Sequence, residues 1–253
     1  MIKWTGWYLL AIGWVFLTAC ASSSPPSRLD QYLGQSPTST SAGTLPTERP
    51  VRAALILMTD TSGPDAAPAL PDEAQLRLAE QLTDDVNRGF PITIERVIPS
   101  GDLGNNISLS GLSELGKKHG MDFLLLVVLS SQEQEYPVSL FLGWTTHRQP
   151  GFRRDNWSLA EAALINVHTG VEVLRAEGRA MATLDSPTAP GINQWYPVIY
   201  LRPQDPERRF WPPTYEGAPI TLRIVAMTQA VKRWAINLQQ AWIEKRDSEL
   251  AQS

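Results

Sequence analysis

Residues 122–129 read DFLLLVVL, and no polar position interrupts the run after Asp122. A half-exposed strand would alternate apolar and polar side chains. A continuous run of this length suits a strand covered on both faces, at the centre of a sheet that carries helices. Residues 53–58 (AALILM) form a second dry run, which ends in the turn-forming stretch TDTSGP at 59–64. Both strands are therefore expected at the sheet centre. Between them, after Pro71, Leu76, Ala79, Leu82 and Val86 recur at three- and four-residue steps and predict a helix over 72–88. The β-branched stretch 92–98 (ITIERVI) predicts a strand. Residues 110–119 predict a short helix, with Ser110 as N-cap and Gly120 as its left-handed stop. Residues 157–167 and 171–183, either side of His168-Thr169-Gly170, predict a hairpin. Leu222, Val225, Ala226, Val231, Trp234, Leu238, Ala241 and Trp242 predict a long closing helix.

The order β-α-β-α-β-β-β-α implies an α/β (α+β) class: a mixed sheet of about five strands with two to three packed helices. The domain is expected over 51–247, with 248–253 as a tail. The chain has 253 residues, 43% hydrophobic and 19% charged, which suits one globular domain with appended segments. A formal net charge of −4 supplies no basic field for phosphate backbones, so nucleic acid is not an expected partner. The single cysteine excludes an intrachain disulfide and a cysteine-based metal site.

That cysteine is Cys20. Lys3 precedes the apolar run 7–17 (WYLLAIGWVFL), whose 11 residues are too few for a permanent membrane span. Leu17-Thr18-Ala19-Cys20 then resembles the lipobox of bacterial lipoproteins. The resemblance implies that 1–19 are a signal peptide, that cleavage falls before Cys20, and that the Cys20 thiol is acylated and anchors the chain in a membrane. Ala21, where an Asp would imply retention in the inner membrane, implies the outer membrane with the chain facing the periplasm. Residues 21–50 hold seven Ser, four Thr and five Pro, and this composition predicts a disordered tether over 20–50. Within it Leu29-Asp30-Gln31-Tyr32-Leu33 is an apolar island able to dock locally.

The order of motifs carries a further resemblance. A strand ends in Met58-Thr59-Asp60-Thr61-Ser62-Gly63. It is followed by the 72–88 helix, by IERVIP at 94–99, by GMDFLLL at 120–126 and by INVHTGVEVL at 165–174. This series resembles the bacterial rhombotarget lipoproteins. More distantly it is similar to the superfamily of the curli secretion channel lipoprotein, the penicillin-binding-protein activator lipoproteins and the N-terminal domain of the Tol-Pal β-propeller. The resemblance implies a periplasmic α/β domain that recruits or assembles other proteins; its motifs are structural rather than catalytic.

Two stretches exceed that pattern, and both read as extended loops. Residues 131–157 contain Trp144, Arg153 and Arg154, and residues 185–219 contain eight prolines with Trp195, Tyr196, Tyr200 and Trp211. A long loop without regular structure is commonly functional or disordered. Trp, Tyr and Arg dominate interface hot spots, so these seven residues are the candidate partner-binding set. The competing reading has the aromatic side chains folding back to cover the sheet.

Chemistry signatures are weak. His119, His147 and His168 have no second ligand at metal spacing, so no metal or other cofactor is expected. The nucleophile-elbow, phosphate-loop and dinucleotide patterns are missing from the sequence. Asp60 at its strand end could hold a cation but more simply closes an Asx-turn. The expected function is a non-enzymatic protein-binding or assembly module in the bacterial cell envelope. Two alternatives stand beside it: an envelope hydrolase with an unrecognised acid/base site, and a self-associating ring or dimer component.

Overall fold

The computed structural model describes residues 25–34, 43–46, 51–103, 107–141, 148–188, 197–202 and 208–251. The expected signal peptide and lipobox (Leu17, Thr18, Ala19 and Cys20) lie outside these described residues.

The two dry runs pair with each other. β1 (Val51–Asp60) lies parallel to β3 (Phe123–Leu140), from Ala53 opposite Phe123 to Asp60 opposite Ser130. β2 (Ile92–Pro99) flanks β1 in parallel. β4 (Gln149–Asn166), β5 (Glu172–Pro187), β6 (Val198–Arg202) and β7 (Arg209–Phe210) continue from β3 as an antiparallel meander. The sheet order is β2-β1-β3-β4-β5-β6-β7, with the expected strands near its centre. Four α-helices pack on it: α1 (Leu29–Leu33), α2 (Asp72–Gly89), α3 (Leu109–Lys118) and α4 (Ala218–Leu250). No helix among the described residues is long and apolar enough to cross a membrane.

Strand alternation sorts the core into two layers. Leu55, Leu125, Val127, Ala162 and Leu164 face α2 and α4, where Leu82, Trp234 and Leu238 meet them. Ile56, Leu124, Leu126, Val128 and Ile165 face the opposite way, against Leu29 of α1 and Leu112 and Leu115 of α3. Gly120 and Gly170 adopt φ of 65° and 67°, the left-handed backbone that stops α3 and turns the β4–β5 hairpin.

Several expectations need correction. The sheet has seven strands among the described residues rather than about five, and four α-helices rather than two to three. Residues 131–157 are not a loop insertion. β3 and β4 are each 18 residues long and stay paired from Phe123–Asn166 to Leu140–Gln149. The polar stretch after Ser130 hides a period of two that cross-strand ion pairs support. β1 pairs with β3 only as far as Ser130, so Pro137 lies where β3 has lost that neighbour. In 185–219, Val198–Arg202 forms β6, and its prolines flank the strand instead of interrupting it. Ile199 and Leu201 are buried against Ala218, Leu222 and Ala226 at the start of α4. The N-cap of α3 is Ser108, whose hydroxyl accepts from the Gly111 amide at 3.2 Å, rather than Ser110. The helix expected to end before a tail at 248 runs on to Leu250. Finally, the folded part does not begin at 51: residues 25–34 of the expected tether are docked, and Leu29 is fully buried.

β5 pairs with β6 only over 181–185, and among the described residues no strand flanks the edge at 172–180, where the Gly43 amide donates to the Glu172 carbonyl at 3.1 Å. Helix α4 closes that edge with side chains. Lys245 Nζ donates to the Val173 carbonyl at 2.7 Å, Asn237 Nδ2 to Glu177 at 2.7 Å, and Arg233 Nη1 to Arg179 at 2.7 Å. An unprotected edge would template foreign strand pairing. So close an approach requires Gly178, because a Cβ there would lie 2.2 Å from both the Ala230 carbonyl oxygen and the Trp234 amide nitrogen. Those neighbours are backbone and cannot rotate away. Gly178→Ala is expected to lower unfolding free energy by about 1–3 kcal/mol, read as a lower urea midpoint.

Candidate functional site

Beyond Ser130 the sheet is amphipathic in a new sense: one face meets α4 and the other carries a polar and aromatic surface. On the α4 face Glu133 lies 2.8 Å from Arg223 Nε and 3.0 Å from Arg154 Nη1, while Arg154 also holds Glu135. On the opposite face Arg153 binds Asp185 through two parallel hydrogen bonds of 2.7 and 2.8 Å. Buried Asp155 accepts from the Tyr136 hydroxyl at 2.8 Å and from Thr183 at 2.6 Å. Tyr200 lies opposite Thr183 in register, with the guanidinium of Arg202 5.1 Å and that of Arg209 5.7 Å from its ring centroid. Half-buried Trp157 and Met181 are paired beside them. Helices α1 and α3 cover this side only over the dry half of the strands, to Val128 and Ala163.

Charge fixes the surface in shape. The Asp185 carboxylate beside Arg153 raises the guanidinium's affinity for its proton, and burial opposes this only partly. Burial, then the bond to Asp155, pushes the Tyr136 hydroxyl up.

The expected partner-binding residues therefore divide. Arg153 and Tyr200 share the face opposite α4, whereas Arg154, its neighbour in sequence, points to the α4 side. Trp211 follows β7 and is 62% exposed. Trp144, Trp195 and Tyr196 lie outside the described residues. Tyr136, Trp157 and Asp185 were missed, because a stretch read as loop offers no face on which to place alternate residues.

A second polar cluster holds the docked segment. Glu161 is 3% exposed, and its carboxylate accepts from Ser27 Oγ at 2.5 Å and from the amides of Arg28 and Leu29 at 2.8 and 3.3 Å. It thereby satisfies amides at the start of α1. The Tyr32 hydroxyl donates to Asp60 Oδ2 at 2.8 Å, and Arg28 Nε lies 3.9 Å from the same oxygen. Asp60 Oδ1 accepts from the Ser62 amide at 2.8 Å and hydroxyl at 2.6 Å, the expected Asx-turn. Gly63 leaves room for the Arg28 guanidinium, whose Nη2 a Cβ there would meet at 1.7 Å and displace. Further along, Arg175 pairs with Glu172 and Asp30, and Arg179 Nη1 donates to the Pro25 carbonyl at 2.6 Å. A cavity of about 550 Å³ opens beside this cluster, lined by Ser27, Asp30, Glu161, Arg175, Glu177 and Asn237 among others. Its carboxylates are engaged: Glu161 with the docked segment, Asp30 with Arg175, and Glu177 with Arg179. No group of three His, Cys, Asp or Glu residues among the described residues could hold a metal ion.

No protein-family model matches the chain. No curated protein matches it either. Solved structures give only faint likenesses. The PelC dodecamer of Paraburkholderia phytofirmans is 12% identical, over 79% of this chain and 94% of that one, with a TM-score of 0.32. The hypothetical protein CT253 of Chlamydia trachomatis is 10% identical, over 77% and 98%, with a TM-score of 0.36. Lipoprotein GNA1162 of Neisseria meningitidis is 13% identical, over 56% and 90%, with a TM-score of 0.29. At these scores the description of the fold rests on the chain itself.

Removing the acceptor in Glu161→Ala leaves two buried amides unpaired, at about 1–3 kcal/mol for each group stranded. The expected outcome is faster trypsin cleavage after Arg28, with the sheet still folded by circular dichroism.

The clasp also has a pH window. At Asp60 burial favours the neutral acid, but the hydrogen bonds from Ser62 and Tyr32 and the charge of Arg28 outweigh it, so its pKa falls on folding. That stability is present above the unfolded carboxyl value and is lost as acid titrates through the folded one. The Tyr32 hydroxyl is pushed up to about 12 by burial, by its bond to Asp60 and by that group's charge. Its contribution is full below the unfolded tyrosine value and disappears as pH rises through about 12. Protection factors of the amides at 29–33, corrected for intrinsic exchange at each pH, are expected to fall at both extremes; Tyr32→Phe should abolish the alkaline limb and move the acid limb to higher pH, because Asp60 loses one of its hydrogen bonds.

Proposed function

We propose that this chain is a lipid-anchored protein of the bacterial cell envelope, attached to the periplasmic side of the outer membrane through Cys20, whose domain binds or assembles other envelope proteins without catalysis of its own. The observation that carries the binding role is the distal face of the meander, which none of the described helices covers. There Tyr136, Trp157 and Tyr200 stand among Arg153, Arg202 and Arg209 on a rigid antiparallel sheet. Such residue types are enriched where proteins dock, and a sheet presents them with little loss of entropy on binding. The anchor rests on the Leu17-Thr18-Ala19-Cys20 pattern. The hydrolase alternative would require carboxylates free to exchange protons in a cavity. The acidic groups around the 550 Å³ cavity are instead tied to cations and amides that hold residues 25–34.

Two measurements test the two halves. Cys20→Ala is expected to release the protein from membranes and to remove an acyl mass from its mature N-terminal peptide. For the docking face, photo-crosslinkers placed at Met181 in intact cells should yield one dominant adduct. Tyr200→Ala combined with Trp211→Ala should reduce that adduct roughly tenfold or more, the loss of one good hot spot. An adduct unchanged by the double variant would refute the docking face and leave the anchor standing.

A further inference from the structure

Helix α4 is apolar on both sides. Trp234, Leu238 and Trp242 face the sheet. On the reverse face Ile236, Ile243 and Leu250 are 64%, 42% and 67% exposed. They repeat every seven residues, so they line up two turns apart along one stripe. Lys232 and Arg233 stand one turn before Ile236, and Arg246 stands beside Ile243.

We infer that this outer stripe of α4 lies against the lipid surface that bears the anchor. The inference rests on the proposed acylation of Cys20 and adds the orientation of the domain. Where the docked segment ends supplies the argument. The Pro25 carbonyl is bound to Arg179, and the Arg179 carbonyl in turn accepts from Arg233, three residues before Ile236. Glu177, Arg179, Arg233, Ile236 and Asn237 line one shallow hollow where α4 meets the edge of β5. Four residues lie between Cys20 and Pro25, and the five extended steps from one to the other span at most roughly 18 Å. That reach exceeds the 10–12 Å diameter of a helix with its side chains. Acyl chains on Cys20 therefore enter a bilayer within reach of the β5 edge and α4, whereas a free 30-residue tether would leave the domain unoriented. Exposed isoleucines beside Lys232 and Arg233, with Arg246 paired to Asp247 at 2.9 Å, give this face the mixed apolar and charged composition of a helix that lies in a membrane interface.

A second copy of the chain fits the stripe less well. A helix–helix seam needs apolar residues at two positions per heptad. Here the second position holds Gln239 or Gln240, then Arg246 or Asp247.

The test uses the full chain expressed in bacteria, purified after processing and reconstituted into vesicles of phosphatidylethanolamine and phosphatidylglycerol that contain doxyl-labelled lipid. Single substitutions Ile236→Cys, Ile243→Cys and Lys117→Cys each carry an environment-sensitive fluorophore. Lys117 is exposed on α3, which packs on the opposite face of the sheet. The expected result is blue-shifted emission and quenching several-fold stronger at 236 and 243 than at 117. Equal quenching at all three sites of an acylated chain overturns the orientation and leaves the anchor intact. Weak quenching, with unlabelled Ile236→Cys forming a disulfide dimer when oxidised with copper–phenanthroline, overturns it in favour of a second copy. A chain without an acyl mass at Cys20 overturns the anchor, and the orientation with it.

Discussion

β3 has two different neighbourhoods, and the fold is the consequence. As far as Ser130 it lies between β1 and β4, dry on both sides. There it needs helices on both faces, since its apolar side chains alternate up and down. After Ser130 β1 ends; residues 65–67 bridge to β3 at 131–133, and beyond them the same strand continues beside β4. Its residues become Ser, Gln and Glu, and only one face can be packed against a helix. A platform covered by helices on two sides thus passes, within one strand, into a projecting sheet on which the described helices cover one. Leu126→Asp would bury an unpaired charge in the first half. The same exchange at Gln134 falls on an exposed position.

Helix α4 reconciles the two halves. Its first turns bury Leu222 and Ala226 over the projecting sheet, its middle buries Trp234 over the platform, and Arg223 supplies the cation that Glu133 needs. It also shields the open edge of β5, with Gly178 admitting the helix backbone. These roles all need a helix longer than one core face would demand. Length in turn leaves a reverse face, and its isoleucines are what the core does not explain.

What could be read from sequence follows from how locally each signal is encoded. The dry runs at 53–58 and 122–129 announce themselves, because burial on both faces leaves no alternative composition. The order of elements through the β4–β5 turn was legible for the same reason, with Gly120 and Gly170 marking turns that need positive φ. The extension of β3 and β4 was not. Glu133 and Glu135 look like loop residues until Arg154 is seen opposite Glu135 across the ladder, and Arg223 lies ninety positions away in the chain. The polar-aromatic face was hidden with it. Arg153 and Arg154 were read as one cluster, although adjacent strand residues must point to opposite faces.

The docked segment is the sharper lesson: composition argued for a disordered tether over 20–50, yet the apolar island at Leu29–Leu33 docks as expected and brings residues 25–28 with it. Residues 21–50 lack the apolar area to fold alone, and that arithmetic is sound for an isolated chain. The segment does not fold alone. Leu29 fills a place already prepared by the Ile56, Leu126 and Ile165 layer, and Glu161 stands ready in β4 to receive two amides. Without residues 25–34 that carboxylate would be left in a largely apolar layer lacking the donors it now has. A buried acid on a central strand is costly unless its partners are guaranteed. Glu161 is therefore best understood together with Ser27, Arg28 and Leu29, as a latch in which a polar core position and a polar leader require each other. The consequence reaches beyond the fold: whatever is attached just before Pro25 is held at the edge of β5, and the domain inherits a direction from it.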